Sequence, residues 1–435
     1  MPKFFPPPLP TNLGYKKKKP PNLNLKSAIS LVSSASSVGT PSPFGPTQTC
    51  STPEAQAFLS TFSLANIENK IDYNTGISIN NGQNGLVKTV TLFVPEKNQT
   101  RMLVKKQGGS AVEHENKITG AIRTATAGFP FDFLALPVAQ GTVGVTNILY
   151  TCYQEIGDLQ IHREYIRNQY NLNPSAVLSF LFHGIQQLLE TIHALNNTEF
   201  KDEEGKAHQG IIHNDIKPSN IFLKTNGNFI LGDFGCAYFK DEAASQISTF
   251  LFSAPELFTT KDFCIKSLDN INADVWSLGA SLWYLLTKEL LTPVLPTKPL
   301  SDLEKIQFYQ DWAEKYSEQW QRLIENHLNL TKKQLGKQIK DALDTDLKNL
   351  RTNINDPKNT EKKKKILQKL ALLMQAPAPE RPNAFELKDL MDRIEGYFII
   401  DGDAEKFAAQ LLERQKSENK AYQESKNNNK LAISR

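Results

Sequence analysis

The sequence predicts an α+β chain of two unequal lobes, a small antiparallel β-rich N-lobe followed by a large, mainly helical C-lobe. Two observations carry this. Between residues 77 and 104, β-rich runs (Ile77-Ser78-Ile79, Val87 to Val94, Met102-Leu103-Val104) alternate with Asn/Gly and Pro-Glu-Lys-Asn turn material, as in an antiparallel meander. From Pro174 onward helical periodicity dominates, beginning with Val177, Leu178, Phe180, Leu181, Ile185, Leu188 and Leu189. A helix near Ala111 to Ala125 and strands near Leu134 to Val138 and Ile148 to Tyr153 complete the N-lobe. The boundaries that follow are a Pro/Lys/Ser-rich tail over 1–60, an N-lobe over 61–155, a C-lobe over 156–398 and a charged C-terminal tail over 399–435, with a helix around Glu405 to Gln415.

Composition narrows the function classes. The 435 residues are 40% hydrophobic, enough for substantial cores. No stretch reaches the roughly 18 apolar residues that a membrane span needs, and Phe4-Phe5 followed by prolines is no export signal. Four cysteines without CxxC spacing fit reduced thiols and an intracellular or cytoplasmic setting. The net charge of +4 resides in the tail: residues 1–50 hold six lysines and no acid, which leaves the remainder near −2 and without a nucleic-acid footprint. Ten of the 24 prolines also fall there, so the segment reads as disordered, a solvated arm or a recognition tail. Phe5-Pro6-Pro7-Pro8-Leu9-Pro10 resembles the ligands of EVH1 domains, which would give the tail a protein partner. Lys16 to Lys19 would suit an anionic lipid or a nuclear address equally well.

The chemistry concentrates in His213-Asn214-Asp215-Ile216-Lys217-Pro218-Ser219-Asn220, followed 13 residues after Asn220 by Asp233-Phe234-Gly235. Phosphoryl transfer asks a protein for an acceptor of the hydroxyl proton, oxygen ligands for a metal and positive charge along the phosphates. These residue types supply all three. The combination resembles the eukaryotic-type protein kinase superfamily. The resemblance implies the bilobal kinase fold, ATP and Mg²⁺ (or Mn²⁺) as cofactors, and a protein as substrate. It casts Asp215 as the residue that orients the attacking hydroxyl, Lys217 as neutralising the γ-phosphate, and Asn220 and Asp233 as metal ligands.

Further segments extend the resemblance over roughly residues 75 to 395. Ala254-Pro255-Glu256 resembles the motif that closes the activation segment, and Asp274-Val275-Trp276-Ser277-Leu278-Gly279 the helix beneath the catalytic loop. Arg381 stands where the family pairs an arginine with the glutamate at 256. In the N-lobe the glycine-rich pattern falls on Asn80 to Val87, with Asn80 in place of the first glycine and Gly82 and Gly85 kept. The phosphate-contacting lysine is expected at Lys105, with Lys106 the rival, because strand alternation lets only one of them face the phosphates. Its helix partner is expected at Glu115, with Glu113 the alternative. The ten residues from Lys105 to Glu115 are short for the family, and Thr119 falls where an apolar residue is usual. Val87 and Phe222 resemble the pair that sandwiches adenine, and Asp158 the ribose-binding acid; the hinge lies within Tyr150 to Glu155.

Ser248-Thr249-Phe250 and the Asp215-x-Lys217 arrangement resemble serine/threonine kinases. Asn214 replaces the arginine that pairs with an activation-segment phosphate in many relatives, which implies activity without phosphorylation there. Cys236 reads as an inert thiol. Asp274 to Arg381 spans 107 residues, more than the fold needs, so a helical insertion is expected at about 290–365. Its Phe308, Trp312, Tyr316 and Trp320 form an i, i+4 stripe for packing on the C-lobe or for docking a partner. Three rival readings stay open: a pseudokinase scaffold, a small-molecule phosphotransferase, and a bacterial effector kinase secreted into a host cell, whose Lys/Asn-rich composition and divergent N-lobe this chain resembles. Oligomeric state is not legible.

Overall fold

The computed structural model describes residues 47–48, 64, 67, 71–72, 78–82, 85–94, 99–125, 128–154, 156–242, 249–258, 272–296, 300–328, 357–398 and 402–433. The Phe5 to Pro10 motif, Lys16 to Lys19 and the middle of the expected insertion lie outside the described residues.

The N-lobe is one sheet. Its strands are β1 (Thr47–Gln48), β2 (Ile71–Asp72), β3 (Ser78–Gly82), β4 (Gly85–Val94), β5 (Gln99–Gly108), β6 (Pro137–Val143) and β7 (Thr146–Cys152), in spatial order β2-β4-β5-β7-β6 with β3 on β4 and β1 on β5. All pairings are antiparallel except β1, which lies parallel to Thr100–Arg101. The N-terminal segment therefore contributes a short strand within the span expected to be tail. Leu134, expected at a strand start, instead bridges to Leu231 of the large lobe.

Residues paired across strands share a face of the sheet. Val87 stands opposite Lys106, and Val104 opposite Thr151, which places all four on one face. The other face carries Val90, Leu103, Tyr150 and Cys152 in a separate small core with Ile67 and Leu92. Helix α1 (Ser110–Ile122) starts two residues after β5 ends, which accounts for the short lysine-to-glutamate spacing.

The C-lobe is built on helices α2 (Leu159–Leu172), α3 (Pro174–Asn197), α4 (Ala273–Thr287), α5 (Asp302–Leu328), α6 (Pro357–Met374), α7 (Ala384–Phe398) and α8 (Asp403–Ile433). Between α3 and α4 lie the short strands β8 (Glu199–Lys201), β9 (Ala207–Gln209), β10 (Ile211–Ile212), β11 (Ile221–Leu223), β12 (Phe229–Leu231) and β13 (Tyr238–Phe239), paired as β8-β9, β10-β13 and β11-β12. Helix α4 is buried almost all round, as a central helix must be. At Gly279 a Cβ would come within 2.5 Å of Met374 Cβ and 2.9 Å of Ala371 O, so only glycine allows α4 and α6 this approach.

The described part of the insertion is core. Along α5, Tyr309, Trp312, Tyr316, Trp320 and Ile324 are buried, while Phe308 is half-buried at the margin. Their polar tips are satisfied inside: Trp276 Nε1 donates to Tyr316 Oη (3.0 Å), Tyr316 Oη to Gln375 O (2.7 Å) and Trp320 Nε1 to Leu372 O (2.9 Å). The stripe packs on the lobe, and leaves no aromatic face for a partner there. The C-terminal region also differs from the sequence reading. Its helix runs to Ile433, and Phe407, Ala408 and Leu411 join the main core, with Phe407 against Phe180 of α3. Charged residues dominated the composition of this segment and hid the few apolar positions that seat it. Among the described residues no helix is long and apolar enough to cross a membrane.

Arg381 and Glu256 form a two-pronged ion pair at 2.5 and 3.0 Å, and Arg381 also donates to the carbonyls of Ala376 (2.9 Å) and Asn272 (3.0 Å). It ties the end of the activation segment to the start of α7 and α4. Trp320→Ala should lower unfolding free energy by about 3–5 kcal/mol in urea titration. Val145→Ala, at a position 97% exposed, should stay within about 0.5 kcal/mol of the parent.

Candidate active site

The loop from His213 to Asn220 is held from below. Asp274, at the start of α4, accepts hydrogen bonds from the backbone N–H groups of His213 and Asn214, each 2.8 Å. Burial holds the His213 imidazole below its usual pKa. A neutral ring satisfies its two contacts, donating from Nε2 to Gly232 O (3.2 Å) and accepting at Nδ1 from Asp215 N (3.3 Å). Asn214 takes a left-handed backbone (φ 61°), which turns the chain so that Asp215 faces the cleft.

Around Asp215 the side chains converge. Lys217 Nζ donates to Asp215 Oδ2 (2.7 Å) and Thr249 Oγ1 (2.6 Å), and Thr249 N donates to Asp215 Oδ1 (3.3 Å). Asn220 Nδ2 donates to Asp215 O (2.8 Å) and Oδ2 (2.9 Å), which leaves its amide oxygen as the acceptor end. One carboxylate thus fixes the lysine, the asparagine and the activation segment's threonine.

Across the cleft the lysine position corrects the sequence reading. Lys106 Nζ lies 2.5 Å from Glu115 Oε2 and 2.9 Å from Asp233 Oδ1. Burial opposes its charge, but the two carboxylates outweigh burial and lift its pKa above the ordinary lysine value. Asp233 is held below the usual carboxylate range: burial pushes it up and Lys106 more than cancels this. Lys105 does not reach either acid. Its side chain turns to the opposite face of the sheet, buried, with Nζ 5.4 Å from the Tyr150 ring centre. Both lysines are buried, so the usual contrast of one wet and one dry face was missing. Parity with Val87 and Val104 was the one signal that favoured Lys106.

Glu115 is the partner and Glu113 is not; Glu113 sits on the exposed side of α1. Thr119, fully buried, has its hydroxyl 2.7 Å from both Gln140 Oε1 and Glu115 O, two acceptors for its one hydrogen, while Gln140 Nε2 donates to Asn116 O (2.7 Å). The polar residue at an expected apolar position is thus matched by a second polar residue on β6, which no local spacing announces.

Val87 is half-buried on the Lys106 face of the sheet, in the hairpin in which Gly82 pairs with Gly85 and Asn80 with Val87. The Phe222 ring crowds Gly232 so closely that a Cβ there would come within 2.9 Å. Asp158 caps α2 by accepting from Ile161 N (3.0 Å), and bridges to Phe222 in the backbone. Burial pushes its carboxyl up to about 7 against the pull of the backbone N–H groups of Ile161 and Gln160. The chain leaves β7 at Cys152, which puts the connection between the lobes at Tyr153 and Gln154. Cys236 is pushed up to about 12 by burial, so its sulfur stays a thiol.

Among the described residues no three His, Cys, Asp or Glu side chains gather into a metal cage. Asn220 and the ionised Asp233 instead present oxygen ends, the hard donors that Mg²⁺ takes together with water and substrate phosphates.

Comparison with known proteins adds an independent finding. The protein kinase domain model matches residues 155–344. The chain is 34% identical over 113 residues to the probable serine/threonine-protein kinase FMP48 of Saccharomyces cerevisiae, covering 23% of this chain and 31% of that one. It is 40% identical over 84 residues to the serine/threonine-protein kinase ppk34 of Schizosaccharomyces pombe (19% and 23%), and 31% identical over 150 residues to mitogen-activated protein kinase 4 of Arabidopsis thaliana (34% of each). The chain thus spans about a third or less of the length of these relatives. The matched model begins at the edge of the large lobe, and the small lobe supplies by geometry what it lacks in similarity: a lysine from the sheet bonded to a glutamate of the helix and to the aspartate at 233. A chain that carries these segments in this order, and folds them into these contacts, is similar over its large lobe to the protein kinase domain and to serine/threonine-protein kinases.

Proposed function

We propose that the chain is a protein kinase that transfers the γ-phosphate of ATP, as its Mg²⁺ complex, to serine or threonine hydroxyls of a protein. The observation that carries this reading is the bridge of Lys106 between Glu115 and Asp233, which sets an aimed ammonium, suited to phosphates, beside an ionised carboxylate suited to Mg²⁺.

When bound, the nucleotide with its metal supplies the phosphoryl group and much of the neutralising charge. Lys106 lies where its ammonium can hold the α- and β-phosphates, and Glu115 fixes the direction of that ammonium. Asn220 and Asp233 would hold the metal through their oxygens. Asp215 orients the substrate hydroxyl and receives its proton, while Lys217 offsets the charge of the transferred group. Thr249 supports the serine/threonine preference, because it closes the Asp215–Lys217 pair from the activation segment, beside the acceptor's place. Val87 and Phe222 would enclose the adenine, and Gly82 and Gly85 would let backbone N–H groups reach the phosphates beside Asn80.

The mutational test separates the roles. Asp215→Asn should cut phosphate transfer to a generic protein acceptor by about 10²–10⁴ and leave nucleotide affinity nearly unchanged. Asp233→Ala should abolish transfer and weaken binding of the Mg²⁺–ATP complex as well. Lys106→Ala should lose about 10² or more in kcat/KM, whereas Lys105→Ala should lose far less activity and show its effect in thermal stability. Equal losses at the two lysines would overturn the assignment.

Asp158 gives a pH signature. As its carboxyl ionises through about pH 7 it becomes a pure acceptor for two ribose hydroxyls. Adenosine, which has no phosphate to titrate, should bind more tightly as pH rises from about 6 to about 8. Asp158→Asn should flatten that dependence, as calorimetric titration would reveal.

A further inference from the structure

Past Gly235 the chain must be led to Thr249, and the arginine that the family commonly uses to hold this segment through a phosphate is absent at Asn214. The described hydroxyls of the segment are poorly placed for phosphorylation: Tyr238 and Ser253 are buried and Thr249 is bonded to Lys217. Just after β13, however, the chain places two carboxylates of its own, Asp241 and Glu242, and each meets a basic side chain from a different element.

His208 of β9 is fully buried between two acids. Its Nδ1 lies 2.9 and 3.1 Å from the oxygens of Asp241, and its Nε2 lies 3.1 Å from Asp202 Oδ2 in the β8–β9 turn. Both ring nitrogens are thus within hydrogen-bond distance of a carboxylate. Its ring stacks on Phe239 at 3.8 Å between centres, and its hydrogen bond draws the Asp202 carboxyl below its ordinary pKa. Lys206 stands 4.0 Å from the same Asp241. On the other side, Lys117 of α1 reaches both oxygens of Glu242 (3.2 and 3.5 Å) and lies 5.3 Å from the Phe239 ring centre, while His114, one turn back, contacts Ala237 O at 2.6 Å. The same helix carries Glu115. A hold on Ala237 and Glu242 from α1 is therefore also a hold on the direction in which Glu115 presents itself to Lys106.

We propose that His208 and Lys117 are positioning residues for phosphate transfer: they grip Asp241 and Glu242, which supply within the chain the negative charge that a phosphate supplies elsewhere, and so keep the start of the activation segment and α1 in register without modification. This rests on the kinase reading of the site. The His208 ring is shielded from water but its partner Asp241 is 41% exposed, and the Lys117 and Glu242 side chains are 38% and 32% exposed, so both grips are open to solvent on the activation-segment side.

The test uses the full chain, phosphatase-treated and verified unmodified by mass spectrometry. Backbone hydrogen exchange of the 236–242 peptide should rise about ten-fold in Asp241→Asn, which removes the charge but keeps the shape, and likewise in His208→Asn. Lys117→Glu should accelerate the same exchange and lower kcat about ten-fold with KM for ATP nearly unchanged, and Lys117→Glu with Glu242→Lys should restore most of both. Unchanged exchange in Asp241→Asn, or no recovery in the charge swap, would overturn the proposal. So would an unmodified parent that gains ten-fold or more in kcat on phosphorylation of the segment. A parent that transfers no phosphate to any protein would refute the kinase reading alone, since the exchange measurements read the grip without needing activity.

Discussion

The arrangement of the site depends on one buried ammonium. Lys106 holds a carboxylate from α1 and a carboxylate from the loop after β12, so a single side chain of the sheet fixes the position of two otherwise separate elements. Loss of the lysine would leave Glu115 buried and uncompensated, a cost of about 3–5 kcal/mol, and would leave Asp233, 37% exposed, without this partner. Once Lys106 is in place, Asp233 is kept ionised and aimed into the cleft, and Glu115 gives α1 its rotation. The catalytic loop is fixed independently by Asp274, so the two halves of the site are organised from two lobes and meet at the cleft.

This division explains what was legible in the sequence. The segment from His213 to Asn220 could be read because its residues act on one another within eight positions, and its chemistry is local. Asp233, Glu256 and Arg381 were legible for a related reason, their motifs being short and strongly typed. Lys105 against Lys106 could not be settled by local pattern. Both side chains are buried on opposite faces, and the deciding facts are the strand's length to Gly108 and its pairing with Val87 and Leu149, contacts of high sequence separation. The Thr119–Gln140 bond and the His208–Asp241 contact join distant segments likewise, and nothing in either neighbourhood points to the other.

The large lobe carries its extra length as core. Trp276, Tyr316 and Trp320 bury their rings between α4, α5 and α6 with every N–H and O–H spent on an internal acceptor. Aromatic stripes beside charged residues look alike in sequence whether they pack inward or await a partner; the inward hydrogen bonds decide it here. The same ambiguity, resolved in the same direction, applies to α8, where Phe407, Ala408 and Leu411 seat an otherwise polar helix.

The most direct measurement is chemical. An ATP analogue with a reactive acyl phosphate acylates whichever lysine stands at the phosphates, and digestion with mass spectrometry identifies it. The account predicts acylation of Lys106 from the small lobe, with Lys217 as the other labelled lysine, suppressed by excess ATP with Mg²⁺, and the Lys106 label diminished when Glu115→Gln loosens the ammonium's aim. Acylation of Lys105, or labelling that ATP does not suppress, would contradict it.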